Sequence, residues 1–281
     1  MDEAARKAVD EAIAFVKGGQ FNSWLASVIK VAGFNLDVKY EKVFHEFNEF
    51  VTNPKPEFIS RLLDDPKKSH WYGLLVGGVL TNVRGSFSCV LYHESRLREV
   101  EGELFKVIQQ HEATNALANG AWGMGGTSVL DFEYQAYVLA YRRCLDQFAG
   151  AIGAFFKNQC TSFRKLPSFL ECKKPKEVAL AITQVHQKYA KNFEFVMSSG
   201  GEPSVRDRIA HYEFVQAGTL NVSARGILLV GGGEDLNVGG GDEVLLTDCL
   251  CEKSRILHQC IEEIIYAFIN SVSAWEKETL R

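Results

Sequence analysis

Between Ser128 and Lys157 the apolar residues Leu130, Tyr134, Val138, Tyr141, Leu145, Phe148, Ile152 and Phe155 recur at steps of three or four. A strand brings every second residue to one face, whereas a helix does so for positions three and four apart. The spacing predicts one helix of about eight turns with a continuous apolar seam. A seam that long is stable only when other helices cover it. Candidates for that cover are visible. Val178, Ile182, Val185, Tyr189, Phe193 and Val196 form a second stripe after Pro175, and Leu257, Ile261, Ile264, Phe268 and Trp275 form a third. The chain is therefore expected to be mainly α, an antiparallel helical bundle.

Further stripes lie upstream, at Ala5, Val9, Ala12 and Val16 and again at Tyr40, Val43, Phe44, Phe47, Phe50 and Val51. Turn signals at Asn53–Phe58 and Asp64–Lys68 follow them. These divide the chain into an N-terminal helical flank or subdomain, 1–68, and a bundle, 69–281, clearest from 128. The stretch from His70 to His111 is long and lacks a turn dipeptide, which favours helix over hairpin. The glycines of Asn119–Ser128 mark a loop. Helical stepping is lost from about Leu220 to Thr247, where short apolar runs alternate with glycine triplets, and a small β-hairpin insertion near the C-terminus is expected there.

With 46% hydrophobic and 23% charged residues among 281, the composition is that of a folded chain with a sizeable core. A formal net charge of -4 argues against a protein that coats nucleic acid along its whole surface, but not against positive charge confined to a cleft. The acidic amphipathic start is unlike a secretory signal. Uninterrupted apolar runs such as Trp71–Leu80 are shorter than a membrane span, so no membrane partner is expected. Seven scattered cysteines read as reduced thiols, and a cytoplasmic location is the expectation.

Several clusters carry a plain reading. The glycine triplets lack a following Lys-Ser/Thr pair, and Glu234 and Asp235 would repel phosphate, so a hairpin tip is the simpler account. Cys249, Cys251, His258 and Cys260 have metal-ligand chemistry but not the usual pair spacing. Buried thiols are expected there, with no metal and no cofactor. The histidines at 45, 70, 93, 111, 186 and 258 sit singly on helical stretches and read as surface or boundary residues. Glu262 and Glu263 read as a solvated face.

The segment Ser204–Phe214, SVRDRIAHYEF, is different. Pro203 suits a first helical position, which would make the segment the opening of a helix. Asp207 and His211 would then be one turn apart, close enough for the carboxylate to orient the imidazole. Arg206 is five residues from His211, ~140° around the helix. These two would line opposite sides of a groove, most simply at a two-fold interface. In RNA cleavage by the neighbouring 2′-hydroxyl, an imidazole supplies the base and the acid, and a guanidinium supplies fixed donors to the transferring phosphate. The plain alternative is a solvated helix start in which Arg206 and Arg208 pair with Asp207 or with glutamates nearby.

Arg206–Asp207, three residues, then His211 resembles the Arg-polar-x-x-x-His signature of HEPN domains, four-helix nucleotide-binding bundles. The stretch YRRCLDQFAGAIGAFF, from Tyr141, is similar to a first bundle helix of such domains. The resemblance covers the second half to two-thirds of the chain. It implies a homodimer whose motif helices face each other across one composite cleft. It further implies metal-independent endoribonuclease activity, frequent in toxin–antitoxin or antiviral systems with a cognate antitoxin or regulatory protein. Other members are non-catalytic nucleotide-binding or protein-interaction scaffolds. Carried onto this chain, Arg206, His211 and Asp207 would be catalytic, while Arg208 and Tyr212 would bind substrate. Some toxins of the family place tyrosine two residues after the histidine; here Tyr212 follows directly and Glu213 takes that place.

Overall fold

The computed structural model describes residues 20–34, 36–53, 56–110, 122–124, 126–198, 203–223, 226–231 and 245–279, with positions 7, 11, 13, 14 and 16 before them. These residues are mainly helical. The chain divides into two units, Met1–Asp37 and Val38–Arg281. In the first, helix α1 (Gln20–Ala32) carries Phe21 and Trp24 with ring centroids 5.9 Å apart. Ala5, Val9 and Ala12 of the expected first stripe lie outside the described residues.

The second unit is a helical bundle. It starts with α2 (Val38–Thr52), α3 (Glu57–Leu63) and the single turn α4 (Ser69–Tyr72). A π-helical segment, Gly73–Val83, then leads directly into α5 (Arg84–Gln110). After the short strand β1 (Trp122–Met124) comes α6 (Ser128–Phe155), the long helix that the apolar stepping predicts. Each of its seam residues from Leu130 to Phe155 is buried. The short α7 (Leu166–Leu170) and α8 (Lys176–Tyr189) follow, and then the motif helix α9 (Val205–His211). The last helix is α10 (Leu246–Thr279).

Two differences from the sequence expectation follow from tertiary packing. Residues 38–63 are not a flank apart from the bundle. Phe47 of α2 and Phe58 of α3 both meet Phe268 of α10, and Glu276 of α10 accepts a hydrogen bond from the Phe58 backbone N–H at 2.7 Å. The order of directions also differs from an all-antiparallel bundle. Ser86 meets Gln147 and His93 meets Glu133, so α5 and α6 run antiparallel. The Tyr137 hydroxyl donates to the Leu250 carbonyl and that of Tyr141 to the Lys253 carbonyl, each at 2.9 Å. Phe155, further along α6, meets Phe268, so α10 runs in the same direction as α6.

Helix α10 begins at Leu246, within the stretch expected to be β. Its start is held by buried Thr247, whose hydroxyl bonds Glu101 of α5. Backbone pairing joins β2 (Gly218–Ser223) antiparallel to β3 (Gly226–Gly231), and β1 to β2 with Trp122 opposite Val222. Residues 232–244, with most of the glycine triplets, lie outside the described residues. The helix Ser69–Val107 spans 39 residues and contains a window long and apolar enough to cross a membrane, by length and composition alone. The uninterrupted run Trp71–Leu80 understates it, because isolated polar residues do not end a helix. Of that window 44% is buried in the bundle.

Close approach of the π-helical segment to α6 depends on Gly78. A Cβ there would lie 2.9 Å from Ala151 Cβ and 3.3 Å from Ala151 Cα. Gly78→Val should therefore destabilise the protein by about 1–3 kcal/mol through overpacking. Thermal unfolding checks this, and Ala151→Gly in the same chain should recover part of the loss. A Gly78→Val protein as stable as wild type would mean that the two helices separate at no cost.

Candidate functional site

The site is built where α6 ends and the chain turns back on it. Gly153 allows the turn, since a Cβ there would sit 2.8 Å from the Asn158 carbonyl oxygen and 2.9 Å from the Cys160 nitrogen. Lys157 completes it with φ 53°, the left-handed conformation common just past a helix end. The chain thereby returns to the flank of α6, where Asn158 and Cys160 lie against Gly153 and Gly150.

On that flank Arg142 and Asp146 are paired at 2.7 Å. Arg142 also donates to the Val196 carbonyl at 3.0 Å and to Ser162 Oγ at 3.1 Å, and Asp146 accepts from the Phe163 N–H at 3.0 Å. This pair anchors the segments before α7 and before α9. A cavity of about 560 Å³ opens beside it. Its walls include Trp71, Arg142, Arg143, Asp146, Asn158 and Arg206. Arginine from α6 and arginine from the motif helix thus meet at one opening.

The motif helix is short, and its start is fully specified. Ser204 is the N-cap, so Pro203 precedes the cap instead of taking the first helical position. Ser204 Oγ accepts from the Asp207 N–H at 3.2 Å, and the Asp207 carboxylate accepts from the Ser204 hydroxyl at 2.8 Å and the Ser204 N–H at 3.4 Å. This is a capping box with aspartate as the reciprocal acceptor. The other Asp207 oxygen accepts from Arg206 at 2.8 Å. Burial pushes the Asp207 carboxyl up, but hydrogen bonds from Arg206 and Ser204 outweigh it and hold it below the usual carboxylate range.

Asp207 is therefore brought to Arg206 and Ser204. Among the described residues no hydrogen bond joins it to His211, although the two are one turn apart. His211 is exposed at the helix end and does not line the cavity that contains Arg206. Arg208 pairs with Glu213 at 2.5 Å, and Tyr212 closes the helix with 74% of its surface exposed. Beyond it, Gln135 of α6 donates to the Val215 carbonyl at 3.1 Å, and buried Asp131 accepts from the Ala217 N–H at 2.8 Å. Helix α6 thus fixes the chain that leaves the motif. An apolar patch flanks it, with exposed Phe132 and Phe214 edge to face at 6.1 Å.

The remaining candidates fall elsewhere. Cys249 and Cys251 are half-buried on α10 and Cys260 is buried. His258 is buried against the rings of Tyr40 and Phe87, at 4.8 and 5.6 Å. His186 is buried too, its Nε2 bonded to the Phe163 carbonyl at 2.9 Å. These two are core histidines, and burial lowers the pKa of both. Glu263 is not merely solvated, since it accepts from Lys188 at 2.6 Å and from the Tyr189 hydroxyl at 2.7 Å. Arg142 and Arg143 were not singled out by the sequence reading. Their signal was two adjacent arginines inside a helix whose seam is otherwise apolar. Comparison of the chain with family models, curated proteins and solved structures gave no match.

Proposed function

We propose that this chain is a HEPN-like bundle that acts as a metal-independent endoribonuclease in a homodimer. The observation that carries the reading is the shared cavity of Arg206 with Arg143, walled also by Arg142, whose guanidinium is held by Asp146, Ser162 and the Val196 carbonyl. Arg206 and Arg143 are the cations it offers to phosphate. The 2′-oxygen of one nucleotide attacks its own 3′-phosphorus, the bond to the 5′-oxygen breaks, and a 2′,3′-cyclic phosphate and a 5′-hydroxyl result. His211 takes the 2′-hydroxyl proton or supplies one to the leaving oxygen, and Arg206 faces the charge that builds on phosphorus. Asp207 holds Arg206 through its 2.8 Å pair, a role different from orienting His211. Arg208 and Tyr212 position RNA. We read the paired strands β1–β3 as a small β insertion in this bundle. A cytoplasmic toxin or antiviral role, with a cognate antitoxin or regulatory protein, belongs to the same proposal.

Homodimerisation would put both His211 side chains at one cleft, and the exposed Phe132, Phe214 and Tyr212 beside the motif offer an apolar seam for it. Light scattering at micromolar concentration should give twice the chain mass; a monomer would reject the composite site. A second reading is a non-catalytic nucleotide-binding or protein-interaction scaffold. It is favoured by the separation of His211 from the cavity and by the use of Asp207 in the cap. Incubation of the purified protein with a mixed RNA pool in EDTA separates the two. Cleavage to cyclic-phosphate ends supports the nuclease. Binding without cleavage supports the scaffold.

A further inference from the structure

We propose that Cys89, His93 and Glu133 form a reactive-thiol site that undergoes thiol–disulfide exchange with a low-molecular-weight disulfide bearing carboxylates, of which glutathione disulfide is the probe. The site lies on the contact between α5 and α6, and none of its three residues belongs to the ribonuclease motif.

The geometry starts from helical spacing. Cys89 and His93 are four residues apart on α5, so they share one face. That shared face brings the His93 imidazole beside the Cys89 thiol, near enough to draw the thiol's pKa down and its own up. From the facing helix, Glu133 meets His93 Nδ1 at 2.7 Å, so the carboxylate orients the ring. Arg96 stands 3.9 Å from the other Glu133 oxygen and steadies the carboxylate. The arrangement is a thiol, a base and a group that orients the base, the pattern by which cysteine nucleophiles are activated. His93 and Glu133 are mostly shielded, with side-chain exposures of 19% and 21%, whereas Cys89 is open to solvent.

A cavity of about 360 Å³ adjoins the sulfur, lined by Cys89, Ser86, Asn82, Gln147 and Arg143 among others. That size suits a small molecule. Arg143 faces it as the cationic group, fitted to a carboxylate on the incoming disulfide. The charges around the thiol agree. His93 beside it, with added attraction from Arg143, holds the Cys89 thiol below the usual range against the opposing effect of burial. His93 is held above its usual value, first by Cys89 and then by Glu133. Both shifts favour a thiolate beside an imidazolium.

The exchange balances without any further reactant. The Cys89 thiolate attacks one sulfur of the disulfide, a new S–S bond forms, and the old S–S bond breaks. The leaving thiolate takes the proton that His93 held. Each unit by which a thiol's pKa falls lowers the nucleophilicity of its thiolate about threefold, but raises the thiolate fraction near neutrality by up to tenfold. The net effect is faster exchange.

Cys172, also exposed, serves as the internal reference. The folded protein is incubated with glutathione disulfide near pH 7, and mixed-disulfide peptides are followed over time by mass spectrometry. Cys89 should react at least about threefold faster than Cys172, and faster with glutathione disulfide than with the neutral hydroxyethyl disulfide. Iodoacetamide alkylation should show a rate–pH midpoint at Cys89 below about 8.5, the value of a free thiol. His93→Ala should move that midpoint up and slow the exchange, and Glu133→Gln should do so to a smaller degree. Reaction at Cys89 no faster than at Cys172 would overturn the proposal, as would a His93→Ala profile identical to wild type. Should His93→Ala fail to fold by circular dichroism, the wild-type midpoint decides, and one in the ordinary thiol range rejects the site. Equal rates with charged and neutral disulfides would remove the carboxylate specificity.

Discussion

Phe268→Ala should remove about 3–5 kcal/mol of stability, the cost of deleting a buried aromatic ring. The residue is 1% exposed, and its ring is shared by helices far apart in sequence. Its centroid lies 5.1 Å from Phe155 of α6, 6.2 Å from Phe47 and 6.3 Å from Phe50 of α2, and 6.3 Å from Phe58 of α3. Several of these contacts are edge to face, each worth about 0.5–1.5 kcal/mol beyond the area buried, though not additively. Against a total of about 5–15 kcal/mol for a folded chain, the loss is a large fraction. Urea unfolding followed by far-ultraviolet circular dichroism measures it. Phe268→Leu should cost clearly less, because it leaves a smaller cavity. An alanine variant within about 1 kcal/mol of wild type would mean that the cluster collapses around the gap.

The same cluster shows what was legible in the sequence. The α6 seam was readable residue by residue, because a helix covered along its length repeats its apolar spacing without a break. Helix α2 had an equally clear stripe, yet was assigned to a flank. A stripe states that a face is buried, not which helix buries it, and the link from Phe47 to Phe268 spans most of the chain. The apolar stepping of α10 is legible only from Leu257, because Thr247 and Ser254, both buried, interrupt it with hydroxyls. Those hydroxyls reach Glu101 and the Tyr137 hydroxyl, partners that no local pattern reveals.

In the motif, two local geometries competed for Asp207. The i, i+4 relation to His211 and the N3 position after Ser204 were both readable, and the cap prevailed. A capping box satisfies backbone N–H groups that would otherwise lack partners, whereas the exposed imidazole gains little from an aqueous contact. The nearness of His93 to Cys89 is likewise present in the spacing. Glu133, 40 residues away, gives that pair its chemistry, and only the packing of α5 on α6 brings it there.

His211→Ala and Arg206→Ala should each lower RNA cleavage by about two or more orders of magnitude with the fold intact. The first removes the proton carrier. The second removes donors that count most when the phosphate carries extra negative charge, so its loss should appear in kcat more than in KM. Arg206→Lys should recover little, because one ammonium cannot reproduce the planar fork of donors. Asp207→Asn separates the two roles open to that carboxylate. If it holds Arg206 and caps α9, activity falls less than in Arg206→Ala and stability drops by about 1 kcal/mol. If it orients His211, activity falls toward that of His211→Ala. Arg208→Ala should raise KM alone, as expected for a charge that positions RNA. Each protein is assayed on the same RNA pool in EDTA, with circular dichroism to confirm folding and analysis of product ends for cyclic phosphate. Equal cleavage by wild type and His211→Ala would assign the activity to a contaminating nuclease. A folded wild-type dimer that binds RNA and leaves it uncut would make the arginine cavity a nucleotide-binding surface and α9 its ion-paired edge.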